Sequence, residues 1–262
     1  MATGIDLARV RIVLQRPRYP ENIGAAARAV RNMGISRLDI VQPENPVDDR
    51  IRMLATHVAG DVVDRMITFG SLAEAVGDCR YVVGTTARLG GQRQVVLSPE
   101  AMARRLVPIS RENEIAVIFG PEDRGLTNDD LRLCHALINI PTAAFSSLNL
   151  AQAVMVVCYA LFTAGSEDCG PAMPRLASRH ELDSLYEQLK DILVRISYIN
   201  PENPDYWLNH LRHFFTRIQL RAREVSIIRG LCRQVDWYAR KNYEDGLQEG
   251  HRQNPGSNLK CD

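Results

Sequence analysis

Apolar positions in the first 164 residues fall into short runs separated by amphipathic stretches. Val10–Gln15 (VRIVLQ), Arg37–Val41, Tyr81–Thr85, 115–120 and 137–140 read as strands. Between them, 22–34, 71–76, 99–106 and 128–134 carry helical periodicity. Val- and Ile-rich runs without strict alternation belong to strands covered on both faces. Their alternation with helices predicts an α/β domain built on a mostly parallel sheet. The segment Leu150–Thr163 is apolar almost all round, which predicts a helix buried on every side.

Beyond this point the pattern changes. Residues 165–174 (GSEDCGPAMP) have the Gly, Pro and acidic composition of a linker. Three helical segments follow at 178–199, 206–217 and 221–240, the first opened by Ser178 with Glu181 three residues on, a capping-box pair. Apolar content fades from Glu244, as in a mobile tail. The expected organisation is an α/β domain over 1–164, a linker over 165–177, a small all-helical extension over 178–243 and a tail over 244–262.

The chain has 262 residues, 45% of them hydrophobic and 24% charged, enough for a substantial core. No apolar run nears the roughly 20 residues that span a bilayer, and the first residues lack a signal peptide's apolar stretch. The expected location is the cytoplasm, with no membrane partner. Cys79, Cys134, Cys158, Cys169, Cys232 and Cys261 are scattered without a C-x-x-C pair, so neither a disulfide framework nor a metal site is expected. His210 and His213 lie one helical turn apart, but Phe214 and Phe215 mark that segment as packing surface. The net charge of +1 announces no nucleic-acid partner, although the cations are nearly all arginine.

Three loops at strand ends carry candidate chemistry. In Pro20-Glu21-Asn22-Ile23-Gly24-Ala25-Ala26-Ala27-Arg28, Asn22 suits a helix N-cap. Arg28 either points to solvent or forms an anion clamp with free backbone N–H groups at the helix start. In Phe119-Gly120-Pro121-Glu122-Asp123-Arg124-Gly125-Leu126, two glycines flank a charged turn, which is either an ordinary strand-to-helix turn or a close approach to a ligand. In Ile140-Pro141-Thr142-Ala143-Ala144-Phe145-Ser146-Ser147-Leu148-Asn149-Leu150, the serines and Asn149 either cap a helix or offer groups to a substrate. Neither a G-x-G-x-x-G turn nor a P-loop is present, which disfavours dinucleotide and ATP binding and a class I methyltransferase.

Taken in order, N-x-G-x-x-x-R, F-G-P-E-x-x-G-L and I-P-x-x-x-x-S-S-L-N-L resemble the three signature motifs of the SPOUT RNA 2′-O-ribose methyltransferases, in the TrmH-like branch. The segment AVRNMG, the stretch Gly84-Thr85-Thr86-Ala87-Arg88 and the helical extension, including FFTRIQLRAREVSIIRG, are most similar to the TrmJ subfamily. The resemblance implies a deep trefoil knot ending the α/β domain, a homodimer with the RNA site spanning both subunits, and S-adenosylmethionine as methyl donor without a metal. The implied substrate is tRNA, methylated on a cytidine or uridine ribose of the anticodon loop. The implied cofactor residues are Thr85, Gly120, Glu122, Ile140, Ser147, Leu148 and Asn149, with Arg28, Asn22 and Ser147 at the chemistry. An rRNA methyltransferase and a non-catalytic knotted RNA-binding protein are the alternatives.

Arginine normally stays protonated, so Arg28 is expected to act as a cation, holding a phosphate and stabilising a developing alkoxide. Arg28, Arg217, Arg221, Arg223, Arg229 and Arg233 are the expected RNA contacts. Trp237, Tyr238 and Tyr243 offer stacking surfaces beside the C-terminal cations.

Overall fold

The computed structural model describes residues 4–87, 95–143, 147–165 and 172–253. Arg88, Phe145, Ser146, Cys169, Cys261 and the stretch 254–262 lie outside them. The α/β part runs β1 (Val10–Gln15), α1 (Pro20–Asn32), β2 (Arg37–Val41), α2 (Asp48–Ala55), α3 (Gly60–Asp64), β3 (Thr68–Phe69), α4 (Leu72–Val76) and β4 (Tyr81–Thr85). It continues with β5 (Val95–Leu97), α5 (Pro99–Ser110), β6 (Ile115–Phe119), α6 (Asn128–Arg132), β7 (Ala136–Ile138) and α7 (Leu150–Thr163). The strands form one sheet in the order β3-β2-β1-β6-β4-β7-β5, and every strand pairing in it is parallel.

Parallel strands cannot be joined by hairpins, so helices cover both faces. Ile12 and Leu14 of β1 enter one core with Ala26, Val30, Met102, Leu106 and Val154. Val13 points the other way, into a core with Val41, Leu72, Val82, Ile118 and Leu131. This two-sided burial explains why β1 shows no alternation in sequence. Strand order reverses direction at β1, with β2 on one side and β6, followed by β4, on the other. In open α/β sheets, the carboxyl ends of strands at such a point form the ligand crevice.

Two sequence-based expectations need correction. Asn22 is not the cap of α1: the helix begins at Pro20 with Tyr19 as N-cap and no side-chain cap bond. Proline at the first helical position is tolerated because its missing N–H has no intrahelical partner. Asn22 therefore sits inside the first turn with its amide free for other work. Nor is α7 buried all round, since Val156, Tyr159 and Phe162 are exposed.

The extension is α8 (Arg179–Arg195), α9 (Pro204–Ile218) and α10 (Ala222–Gln253), around a separate core of Leu182, Leu185, Tyr186, Leu208 and Val225. The capping box of α8 forms as the sequence suggests, Ser178 and Glu181 bonding reciprocally. The helix α10 continues ten residues beyond Tyr243, where the apolar pattern fades. Buried Asn113 ties the domains by donating to the Met173 carbonyl and accepting from the Leu176 N–H. The free N–H groups of Arg179 and His180 at the start of α8 donate to Cys79 and Gly77 carbonyls.

His135, stacked on Tyr81 at a centroid distance of 5.1 Å, accepts the Val82 N–H at Nδ1. Burial, with Arg179 adding to it, pushes this imidazole down to about 3. A folded value below that of the unfolded chain means the unfolded state takes up the proton first. Stability from the neutral ring is complete above about 6.5 and falls as pH drops toward 3. Urea denaturation at pH 7 and pH 5 is expected to show up to about 2 kcal/mol lost through this residue. His135→Gln should lose less over the same interval, and an equal loss in both proteins would contradict the assignment.

Candidate active site

Three strand ends build a single cleft. Its cavity of about 250 Å³ lies near the lower end of the roughly 300–1,000 Å³ common for ligand pockets. Thr85, Thr86 and Ala87 follow or close β4, the turn from Gly120 to Leu126 follows β6, and Ile138 closes β7 with Ile140 just beyond it. Ser147, Leu148, Leu150 and Ala153 close it from the α7 side. The lining has an apolar part (Leu126, Ile138, Ile140, Leu148) and a polar part (Thr85, Thr86, Glu122, Ser147). That mixture suits a ligand with one flat apolar face and several hydrogen-bonding groups.

Glycine at 120 is required by close approach. A Cβ there would stand 2.4 Å from the Gly125 carbonyl carbon and 2.4 Å from the Leu126 nitrogen. The turn folds directly over this position, and Gly125 reverses the chain with φ +69°. The Gly125 N–H closes the turn on the Pro121 carbonyl at 2.9 Å. Thr85 is committed inward, its hydroxyl donating to the Ile118 carbonyl at 3.0 Å. Asn139 braces the same wall by donating Nδ2 to the Thr86 carbonyl at 2.9 Å.

A hydrogen-bond chain links the three loops. Asn149 caps α7, its Oδ1 accepting from the Ala151 and Gln152 N–H groups. Its Nδ2 donates to Oδ1 of Asn22 at 3.0 Å, and Nδ2 of Asn22 donates to Oε1 of Glu122 at 2.7 Å. Oε2 of Glu122 accepts the Arg18 N–H at 3.1 Å. Asn22 is thus fixed to a carboxylate 100 residues away and to an amide 127 residues away. Each of the three loops was ambiguous in isolation; their side chains meet.

Thr85, Gly120, Glu122, Ile140, Ser147 and Leu148 line the cleft, whereas Asn22 and Asn149 stand behind it. Arg28 does neither. It is exposed on α1, six residues and about 9 Å of helix rise beyond Asn22, and faces a different side. It makes no hydrogen bond or ion pair with the described residues. Sequence reasoning missed Thr86, Leu126, Leu150 and Ala153 as lining residues; they are small or apolar, and nothing in their local pattern distinguishes them from core.

The extension's cations divide into two kinds. Arg229 is engaged internally, exchanging hydrogen bonds with Gln188 of α8, and Arg217 lies over the Phe214 ring at 6.0 Å. Arg221, Arg223 and Arg233 are exposed on the segment around α10. Trp237, Tyr238 and Tyr243 are exposed as well, and Lys241 sits 5.2 Å from the Trp237 ring centre.

This arrangement has relatives. The model of the SpoU rRNA methylase family matches residues 9–159, which contain the whole cleft. The chain belongs to that family. A second model, the C-terminal domain of the tRNA methyltransferase TrmJ, matches residues 180–245, the helical extension. The tRNA (cytidine/uridine/adenosine-2′-O-)-methyltransferase TrmJ of Pseudomonas aeruginosa is 34% identical over 89% of this chain and 96% of its own. The tRNA (cytidine/uridine-2′-O-)-methyltransferase TrmJ of Klebsiella pneumoniae is 33% identical over 88% and 97%. The crystal structure of TrmJ from Z. mobilis superposes with a TM-score of 0.76 at 33% identity, covering 86% of this chain and 98% of that one.

Proposed function

We propose that this SpoU-family protein is a tRNA 2′-O-methyltransferase, transferring a methyl group from S-adenosylmethionine to the ribose hydroxyl of a cytidine or uridine in the anticodon loop. The observation that carries the reading is the cleft at the carboxyl ends of β4, β6 and β7, whose lining residue Glu122 is locked to Asn22 and, through it, to Asn149. The TrmJ relatives align over 88–89% of this chain, a span that takes in both the cleft and most of the helical extension.

The residues present fit the methyl donor. The apolar wall of Leu126, Ile138, Ile140 and Leu148 suits a purine. Glu122, Ser147 and the backbone of the tight turn at Gly120 suit a ribose and an amino-acid moiety. When bound, the donor supplies a methyl group on a positively charged sulfur, an electrophile that calls for no Lewis acid. The protein's task is to place a ribose hydroxyl in line and to handle its proton. Alignment of this kind is worth up to about 7–11 kcal/mol for an ideally held pair. With the donor held by the cleft, its sulfur would release the methyl group to the hydroxyl oxygen, and the hydroxyl proton would leave to a phosphate oxygen or water. Arg28, as a cation, holds the target phosphate and stabilises the developing alkoxide.

Arg28 works in this way only if the site is completed by a second copy. The exposed Val156, Tyr159 and Phe162 of α7 support a homodimer, because α7 packs against α1, which carries Arg28. A further exposed apolar stripe on α10, Ile227, Leu231 and Val235, recurs every four residues. The remaining elements of the proposal are a trefoil knot closing the α/β domain and a cytoplasmic location. No helix among the described residues is long and apolar enough to cross a membrane.

Methyl transfer from labelled S-adenosylmethionine to unmodified tRNA and, separately, to rRNA tests the assignment. The expected product is a 2′-O-methylpyrimidine in the tRNA anticodon loop; label in rRNA alone would move the substrate. The extension's role is separable. Replacing Arg223 and Arg233 together with glutamine should weaken tRNA binding by about tenfold at moderate salt and flatten its salt dependence by up to two phosphate contacts' worth. Unchanged binding over a salt titration would assign these side chains to solvent.

A further inference from the structure

The cleft's turn is attached to the sheet at a second point, which the chemistry described above does not use. Gln15 ends β1 and is only 6% exposed, in the middle of a parallel sheet where an aliphatic residue would pack as well. Its Nε2 donates to Oδ1 of Asp130 at 3.2 Å. Asp130, 9% exposed, turns its other oxygen to Thr127, accepting from the backbone N–H at 2.9 Å and from the hydroxyl at 2.8 Å. The Thr127 hydroxyl in turn accepts the Asp130 N–H at 3.2 Å. Thr127 directly follows Leu126, the last lining residue of the turn.

Helix capping alone does not account for Gln15. The box between Thr127 and Asp130 is complete without it, and Oε1 of Gln15 is buried with no hydrogen-bond partner. A buried amide with one unsatisfied end carries a desolvation penalty that an aliphatic side chain would avoid. What the amide adds is a cross-link of 115 residues' separation between β1 and the far end of the cleft turn. The near side of the turn is tied to the segment following β1 through Glu122, by the Arg18 N–H and Asn22. Gln15 and Glu122 therefore register one turn against the same strand and its outgoing loop, the loop that leads into the helix bearing Arg28.

We infer that Gln15 is a positioning residue: through Asp130 it holds the 120–127 turn in the shape that receives the methyl donor. The inference rests on the reading of the cleft as the donor site. Gln15→Met keeps the volume and removes the amide, and Gln15→Asn keeps the amide but is one methylene too short to reach Asp130. Two measurements on the full-length protein decide the matter. One is hydrogen exchange at the Gly125, Leu126 and Thr127 amides without ligand; the other is calorimetric affinity for S-adenosylhomocysteine.

Both variants are expected to speed exchange at those amides and weaken affinity by about tenfold, the scale of one buried hydrogen bond. KM for the donor should rise while kcat changes by less than about threefold, since saturating donor re-forms the turn. Unaltered affinity in both variants, with or without faster exchange, would overturn the role of Gln15 alone. A wild-type protein that does not bind S-adenosylhomocysteine would overturn the reading of the cleft itself.

Discussion

Arg28→Ala is expected to lower methyl transfer by about 10²–10³-fold, on the order of 3–4 kcal/mol, the effect of removing one donor from a developing oxyanion. Affinity for S-adenosylhomocysteine should stay within about twofold of wild type, because Arg28 does not line the cleft. The side chain is exposed on a helix otherwise packed with alanines, and makes no hydrogen bond or ion pair with the described residues. Its removal therefore has little to disturb in the fold. Arg28→Lys should recover only part of the loss, since a point charge does not reproduce the planar fork of a guanidinium. Wild-type turnover in Arg28→Ala would remove this residue from the chemistry.

The same variant tests the proposed dimer. Mixed at limiting donor with chains carrying Gly120→Ala, whose own cleft is expected to bind the donor about a hundredfold more weakly, Arg28→Ala chains should regain activity if Arg28 acts across the interface. A random mixture of a two-fold dimer would restore up to about a quarter of wild-type activity. If Arg28 serves its own chain's cleft, neither chain has a complete site and the mixture stays inactive.

The parts of the fold legible in the sequence are those where burial is uniform. The strand β1 and the helix α7 have the bounds read from composition, because their apolar runs begin and end abruptly at turn residues. The helices α2 and α3 were not legible. In Asp48–Ala55 only Ile51 and Ala55 are buried, too few to set a period. What holds α2 is tertiary: Gly24 of α1 lies so close that a Cβ there would meet the Ile51 carbonyl oxygen at 2.1 Å. The two- and three-residue strands β3 and β5 are too short to carry any alternation. The exposure of Tyr159 and Phe162 was equally hidden, since an apolar helix does not say what covers it.

The candidate site was legible through its motifs and not through its physics. Each loop admitted a bland explanation, and Asn149 does serve as an ordinary N-cap. Nothing local indicates that the same Asn149 also bonds Asn22, 127 residues away. Gln15 left one trace, a polar residue closing a central strand that is apolar apart from it and Arg11, but its partner Asp130 looks like any first-turn acid.

The largest effect on donor binding is expected from Gly120→Ala, and the contrast with Gly125→Ala explains why. At 120 a methyl group would lie 2.4 Å from backbone atoms of Gly125 and Leu126, which have no rotamer to change. The turn itself must lift, by something near an ångström. Misplacement on that scale costs about 10²-fold where alignment matters, so affinity for S-adenosylhomocysteine should fall about a hundredfold. At 125 the space around an added Cβ is open, and the obstacle is only the positive φ of +69°. That conformation costs a non-glycine residue roughly 1–2 kcal/mol. Gly125→Ala should therefore lower thermal stability slightly and donor affinity by less than about tenfold. Calorimetry on both variants checks the order. Equal affinities, or a greater loss at 125, would mean that the crossing of the turn over Gly120 does not shape the donor site. The expected order would instead tie the glycine to the fold of the turn: position 120 is glycine because the backbone it supports passes where a side chain would begin.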